Sequence, residues 1–231
     1  KTWRAWRFTS YDNPFLDPAE IDAARDNLPE RVFQQEFMAE FIEDSGGVFR
    51  RVTEAATATA QSSRIHQHNY IIGADWGRSN DFTALTVIDL VTKELVSLDR
   101  FNQIDYAVQL DRLTALCDRF KPVAIVAESN AMGMPLIETL QRRNLPVQAF
   151  NTTNASKQAI IDALALSFEQ GALRILPDPV LIAELQAYEM ERLPSGLLRY
   201  SAPAGLHDDT VMALALAWQG VVTRAPLLLW G

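Results

Sequence analysis

Between Tyr70 and Phe101 the chain carries three strand-like runs: YIIGADW, TALTVIDL and the stretch ELVSLDRF. Only turn signals separate them, at residues 77–81 and at Thr92-Lys93. Connections this short favour an antiparallel meander. Beyond Phe101 the period changes. Leu110, Leu113, Leu116 and Cys117 share one helical face over Tyr106–Phe120, Pro122 marks its end, and VAIVA forms a strand that stops at Glu128. Alternation follows: a helix over residues 131–143, a strand over 147–150, and a helix over 156–169 stopped by Gly171. A short strand at 172–175, a helix at about 179–191, a hairpin around Ser195-Gly196 and a last helix from Asp208-Asp209 complete the pattern. The class is α/β, with a mixed central sheet covered by helices.

The first 45 residues read differently and form a helical N-terminal arm. Asp17 is placed to cap a helix that begins at Pro18, with Pro at its favoured first position, and Pro29 closes it. A second helix follows. In it Phe33, Phe37 and Phe41 recur every four residues as one aromatic stripe that must be buried, and Gly46-Gly47 break it. The small polar segment TEAATATAQSS reads as a flexible connection or exposed loop, with His66 and His68 on an exposed linker because no Cys or acid completes a zinc pattern around them. Trp3, Trp6 and Trp218 read as buried packing or arm anchors.

With 231 residues, 48% of them hydrophobic, the chain is long enough for one large domain plus an appendage and too apolar for disorder. A single cysteine excludes a disulfide framework and fits a reducing compartment. No run of roughly 18 apolar residues is present, which argues against a membrane span and against export. The absence of an initiating Met suggests a piece of something longer. A formal charge of −8 argues against holding nucleic acid by bulk electrostatics, although basic residues gather at Arg50-Arg51, Arg142-Arg143 and around Lys157.

The acids carry the chemistry. Asp75 ends an apolar run, at the edge where α/β sheets bind ligands; Gly77 lets the chain turn tightly beside it, and Asp81 comes within reach if that turn folds back. Glu128 repeats the pattern after VAIVA. Asp208 and Asp209 open the apolar helix VMALALA, where capping is their plain alternative role. If the two strands and this helix converge, Asp75, Glu128 and Asp209 would repel one another and raise each other's pKa values unless a cation joined them. Hard oxygen ligands point to Mg2+ or Mn2+, and two such ions suit in-line attack of water on a phosphodiester.

The blocks GADWGRSNDFTALTVID, VAIVAESN and LHDDTVMALALAWQ resemble, in this order, the nuclease domain of the large terminase subunit of tailed bacteriophages. The resemblance runs from about Arg50 to Gly220. NPFLDPAEIDAARDNLPERVFQQEFMAEF also resembles the segment that leads out of that family's packaging ATPase domain. It implies a ribonuclease H-like fold over residues 50–231, with 1–49 as an arm or linker from a missing ATPase domain. It further implies a metal-dependent endonuclease that cuts concatemeric double-stranded DNA during packaging in the host cytoplasm. On this resemblance Asp75, Glu128 and Asp209 are metal ligands with Asp208 as their partner. Asp81 is an additional acid, His207 a polar neighbour that orients water or ligand, and Lys157 a contact to the scissile backbone. Implied partners are double-stranded DNA, the ATPase domain of the same protein, the small terminase subunit and the portal. No GxxxxGK[ST] loop occurs in the sequence, so this chain should not pump DNA.

Three alternatives stand beside this reading. A Holliday-junction resolvase or ribonuclease H would use the same acids on another duplex. An actin-like kinase would need a second glycine-rich phosphate loop, which is not evident. A non-catalytic docking module would leave Asp75, Glu128 and Asp209 far apart.

Overall fold

A computed structural model describes residues 6–40, 47–77, 81–130, 133–192 and 198–224. Its central sheet contains β1 (Tyr70–Asp75), β2 (Thr83–Asp89), β3 (Glu94–Phe101), β4 (Ala124–Glu128) and β5 (Val147–Phe150), in the order β3-β2-β1-β4-β5. The first three strands are the expected meander; β4 then joins β1 in parallel and β5 joins β4 in parallel. Each parallel step needs a crossover. α4 (Tyr106–Phe120) and α5 (Gly133–Arg142) supply them.

Helices cover both faces of the sheet, which explains why β1 and β2 are apolar at nearly every position. Alternate residues of β1 serve opposite faces. Ile71 packs in a core with Val126, Ile160, Leu164 and Leu214, whereas Ile72 belongs to one with Leu113, Leu116, Leu136 and Leu140. The first core is closed by α6 (Asn154–Glu169), α7 (Pro179–Ala187) and α8 (Asp209–Arg224). α8 presses directly on β1: a Cβ added at Gly73 would lie 2.0 Å from the Ala213 carbonyl oxygen and 2.6 Å from Ala217 N. Only glycine permits that approach. The position of the helix start, and of the acids on it, therefore depends on Gly73.

In the arm, α1 (Pro18–Asn27) begins as expected, with the Asp17 side chain accepting from Ala19 N. α2 (Glu30–Glu36) is shorter than the aromatic periodicity predicts. Phe37 caps it and stacks on buried Phe33 at 5.3 Å between centroids; the chain then turns through Ala39 at φ 50°, so the helix ends well before Gly47. Phe41 and Gly46 lie outside the described residues, as do Trp3 and the Ser195-Gly196 turn. Arg31 fixes the arm to the body. The residue is 8% exposed, and its guanidinium pairs with Asp162 of α6 while donating to the Tyr200 hydroxyl at 3.0 Å.

Other segments also differ from expectation. TEAATATAQSS is not free: α3 (Val52–Ala55) is helical, Ala58 N donates to Ile175 O and Gln61 N to Val96 O, so the segment is stitched along the sheet. His68 is tied by its Nδ1 to buried Asp89 at 2.6 Å, whereas His66 is exposed. Residues 172–175 form only an isolated bridge between Glu94 and Arg174. α7 stops at Ala187 because β6 (Glu189–Arg192) pairs with β7 (Leu198–Ser201) as a separate ribbon. Trp218 is buried, as expected, but Trp6 is exposed.

Candidate metal centre

Ala74 of β1 is in register with Ala127 of β4, so Asp75 and Glu128 emerge side by side at the carboxyl ends of the two central parallel strands. Their side chains interact. Burial, the charge of Glu128, the charge of Asp209, a hydrogen bond with Glu128 and the charge of Asp208 all push the Asp75 pKa well above the ordinary carboxylate range. Four acids from β1, β4 and the start of α8 thus share one field. Gly77 lets the chain leave β1 at this point, since a Cβ there would meet Phe82 C at 2.3 Å.

Asp208 and Asp209 face different neighbours. The Asp208 carbonyl accepts from Met212 N, and its carboxylate lies 3.1 Å from Lys157 Nζ. The backbone of Asp208 thus opens the helix while its carboxylate faces Lys157. Asp209 is 8% exposed, with its Oδ2 lying 3.6 Å from Arg100 and 3.7 Å from His207 Nδ1. Burial first, and then the charge of Glu184, raise its pKa to about 6 against the opposing pull of Arg100 and His207.

Two participants have no counterpart among the acids the sequence singles out, Arg100 of β3 and Glu184 of α7. The Arg100 guanidinium bridges Glu184 at 3.2 Å and Asp209 at 3.6 Å, and its Cζ lies 3.4 Å from the centroid of the Phe82 ring. The other carboxylate oxygen of Glu184 accepts from Thr210 N at 2.9 Å and Thr210 Oγ1 at 2.5 Å. His207 meets Phe82 edge-on at 5.1 Å. Glu184 does carry a signal: it is the one charged residue in the otherwise apolar helix PVLIAELQA. Arg100 offers none, because an Arg in ELVSLDRF reads as the polar half of an alternating strand.

Asp81 is not among the charges that act most on Asp75. It is exposed and lines a cavity of about 340 Å³ with Asn102, Asp105 and Tyr106. Lys157 sits beside Asp208 and His207 beside Asp209.

Among the described residues, no group of three His, Cys, Asp or Glu side chains is drawn tightly enough to enclose an ion as it stands. The donor chemistry nevertheless suits a hard divalent cation. Every candidate is a carboxylate oxygen, and Asp209 Oδ2 and Glu184 Oε1 are buried with no hydrogen bond among the described residues beyond their ion pairs. A cation would relieve both this deficit and the repulsion at Asp75.

A five-stranded sheet of this order, with acids at the ends of its central parallel strands and on the last helix, defines a ribonuclease H-like domain. The model of one family, the Terminase RNaseH-like domain, matches residues 72–219, and the chain belongs to that family. The chain is 30% identical over 200 residues to the terminase large subunits of Thermus virus P23-45 and Thermus phage G20c, covering 83% of itself but 41% of each. It thus spans about two-fifths of the length of those relatives. The large terminase nuclease of thermophilic phage G20c, solved with bound magnesium, superposes at TM-score 0.70 and 27% identity, over 77% of this chain and 98% of that one. The large terminase nuclease domain of Thermus phage P74-26 superposes at TM-score 0.67 and 27% identity, over 75% of this chain and 94% of that one.

Proposed function

We propose that this domain is a metal-dependent endonuclease that cuts concatemeric double-stranded DNA during viral genome packaging. One observation carries the reading: Asp75 and Glu128 leave neighbouring parallel strands side by side at their carboxyl ends, close enough to Asp208 and Asp209 at the start of α8 for Glu128, Asp208 and Asp209 all to act on Asp75. That arrangement favours a nuclease over a docking module. The magnesium-bound G20c relative supports the choice of cation.

Asp75, Glu128, Asp209 and Asp208 would hold two Mg2+ or Mn2+ ions, which when bound lower the pKa of water and stabilise charge on the leaving oxygen. The protein's own groups do the rest. Arg100, itself paired with Glu184, holds Asp209 in place, and Lys157, paired with Asp208, would offer its ammonium to a phosphate oxygen of the bound strand. His207 and Asp81 act as auxiliaries at the rim. Water attacks phosphorus and the P–O3′ bond breaks, leaving a 5′-phosphate and a 3′-hydroxyl.

Residues 50–231 form the nuclease and residues 1–49 link it to a packaging ATPase domain of the same polypeptide, acting in the host cytoplasm. Among the described residues no helix is long and apolar enough to cross a membrane. The net charge of −8 is consistent with DNA being held chiefly by the ATPase domain, the small terminase subunit and the portal. Affinity of the isolated domain should be weak and fall steeply with salt.

End-group analysis tests the chemistry. Fragments cut with Mn2+ should be ligatable without kinase treatment, and 3′-phosphate ends would overturn the mechanism.

A further inference from the structure

Tyr188 follows α7 directly and is wholly buried, yet its hydroxyl has no hydrogen-bond partner among the described residues. The other buried tyrosines are satisfied. Tyr70 donates to Gln61 Oε1 at 2.9 Å and accepts from Ile65 N at 2.8 Å, and the Tyr200 hydroxyl accepts from Arg31 at 3.0 Å. A dehydrated hydroxyl left unpaired is costly, and phenylalanine would fill the same space without that cost.

What surrounds the ring indicates the hydroxyl's task. Phe49 packs against it at 5.5 Å between centroids, and Lys157 Nζ lies 5.8 Å from the ring centre. The same ammonium is 3.1 Å from Asp208 Oδ2, so Tyr188 and Asp208 flank a single cation. After burial itself, the charges of Asp208 and then Asp75 are the strongest influences on the hydroxyl, and all three push its pKa up. A phenol hydroxyl is protonated at neutral pH in any case, and toward the ionised Asp208 carboxylate paired with Lys157 it can only donate. Hydrogen bonds of this type orient the carboxylates that ligate metals.

We propose that Tyr188 is a positioning residue of the cation site: its hydroxyl, unpaired in the metal-free fold, becomes the donor to Asp208 when a divalent cation is bound and, together with Lys157, fixes the orientation in which Asp208 meets that cation. This inference rests on the metal-site reading above. It assigns Tyr188 no contact with DNA, from which its burial excludes it.

The test is Tyr188→Phe in the 231-residue chain, with Mn2+ binding followed by titration calorimetry and thermal unfolding followed in chelator. The variant should unfold in chelator at or above the wild-type temperature, because only an unpaired hydroxyl is lost, while binding Mn2+ about tenfold more weakly. Wild-type affinity in Tyr188→Phe would overturn the inference, as would weaker binding accompanied by early unfolding in chelator. Glu128→Ala separates the two levels of failure. If wild type binds Mn2+, Glu128→Ala does not, and Tyr188→Phe matches wild type, then only the role of Tyr188 falls. If wild type itself binds no Mn2+, the metal-site reading falls and takes this inference with it.

Discussion

Asp75 and Glu128 end neighbouring parallel strands in step, so two carboxyl groups that repel each other leave the sheet together. Their repulsion works against the metal-free fold. The arrangement lowers stability as pH rises, and the sign follows from linkage. Asp75 and Asp209 both hold their protons more tightly folded than unfolded, so the folded state carries the extra protons above the ordinary Asp value of 3.8. For Asp209, raised to about 6, stability is lost as pH climbs from about 4 to 6. Allowing for solvent at the site, the loss is about 1–2 kcal/mol. Unfolding temperature in chelator should therefore be higher at pH 5 than at pH 7.5, and Mn2+ should restore it at pH 7.5. A flat profile unaffected by Mn2+ would contradict this.

Arg100 holds two buried carboxylates apart. Arg100→Met leaves Glu184 and Asp209 facing each other without their cation, and should destabilise the metal-free protein by about 3 kcal/mol in urea unfolding. Added Mn2+ should recover part of the loss, because an ion at Asp209 replaces the missing charge.

Gly73→Ala tests whether helix placement controls the site. The new methyl would meet the α8 backbone at 2.0 Å, so helix and strand must separate. The expected cost is about 3 kcal/mol or more by chemical denaturation, with Mn2+ affinity reduced because Asp209 moves with the helix. Unchanged stability would show that α8 does not rest on β1 at this point.

Much of this is legible in the sequence for a physical reason. β1, β2 and β4 are buried on both faces and so read as apolar runs, and an acid that ends such a run stands out, as Asp75 and Glu128 do. Asp208-Asp209 stand out against VMALALA in the same way. Arg100 and Glu184 do not, because their roles depend on β3, α7 and α8 meeting in space. α2 is shorter than its pattern suggests, since a four-residue aromatic period fits both a helix and the turn that stacks Phe37 on Phe33. His68 reads as linker because its partner Asp89 lies 21 residues away.

Arg31 should couple the arm to the body without touching the chemistry. Arg31→Ala strands Asp162, whose pKa burial already raises against the pull of Arg31, and should cost about 3 kcal/mol. Hydrogen exchange should rise across residues 18–36 while Mn2+ affinity stays at the wild-type value.

Metal-dependent cleavage through Glu128 is tested by conversion of supercoiled plasmid to nicked and linear forms by the wild-type chain and by Glu128→Ala. Each would be assayed with Mg2+, with Mn2+ and with chelator, and with circular dichroism confirming that both are folded. Cutting that needs the metal and disappears in Glu128→Ala is the expected result. Equal cutting by the two proteins, or cutting that survives chelation, would contradict the account.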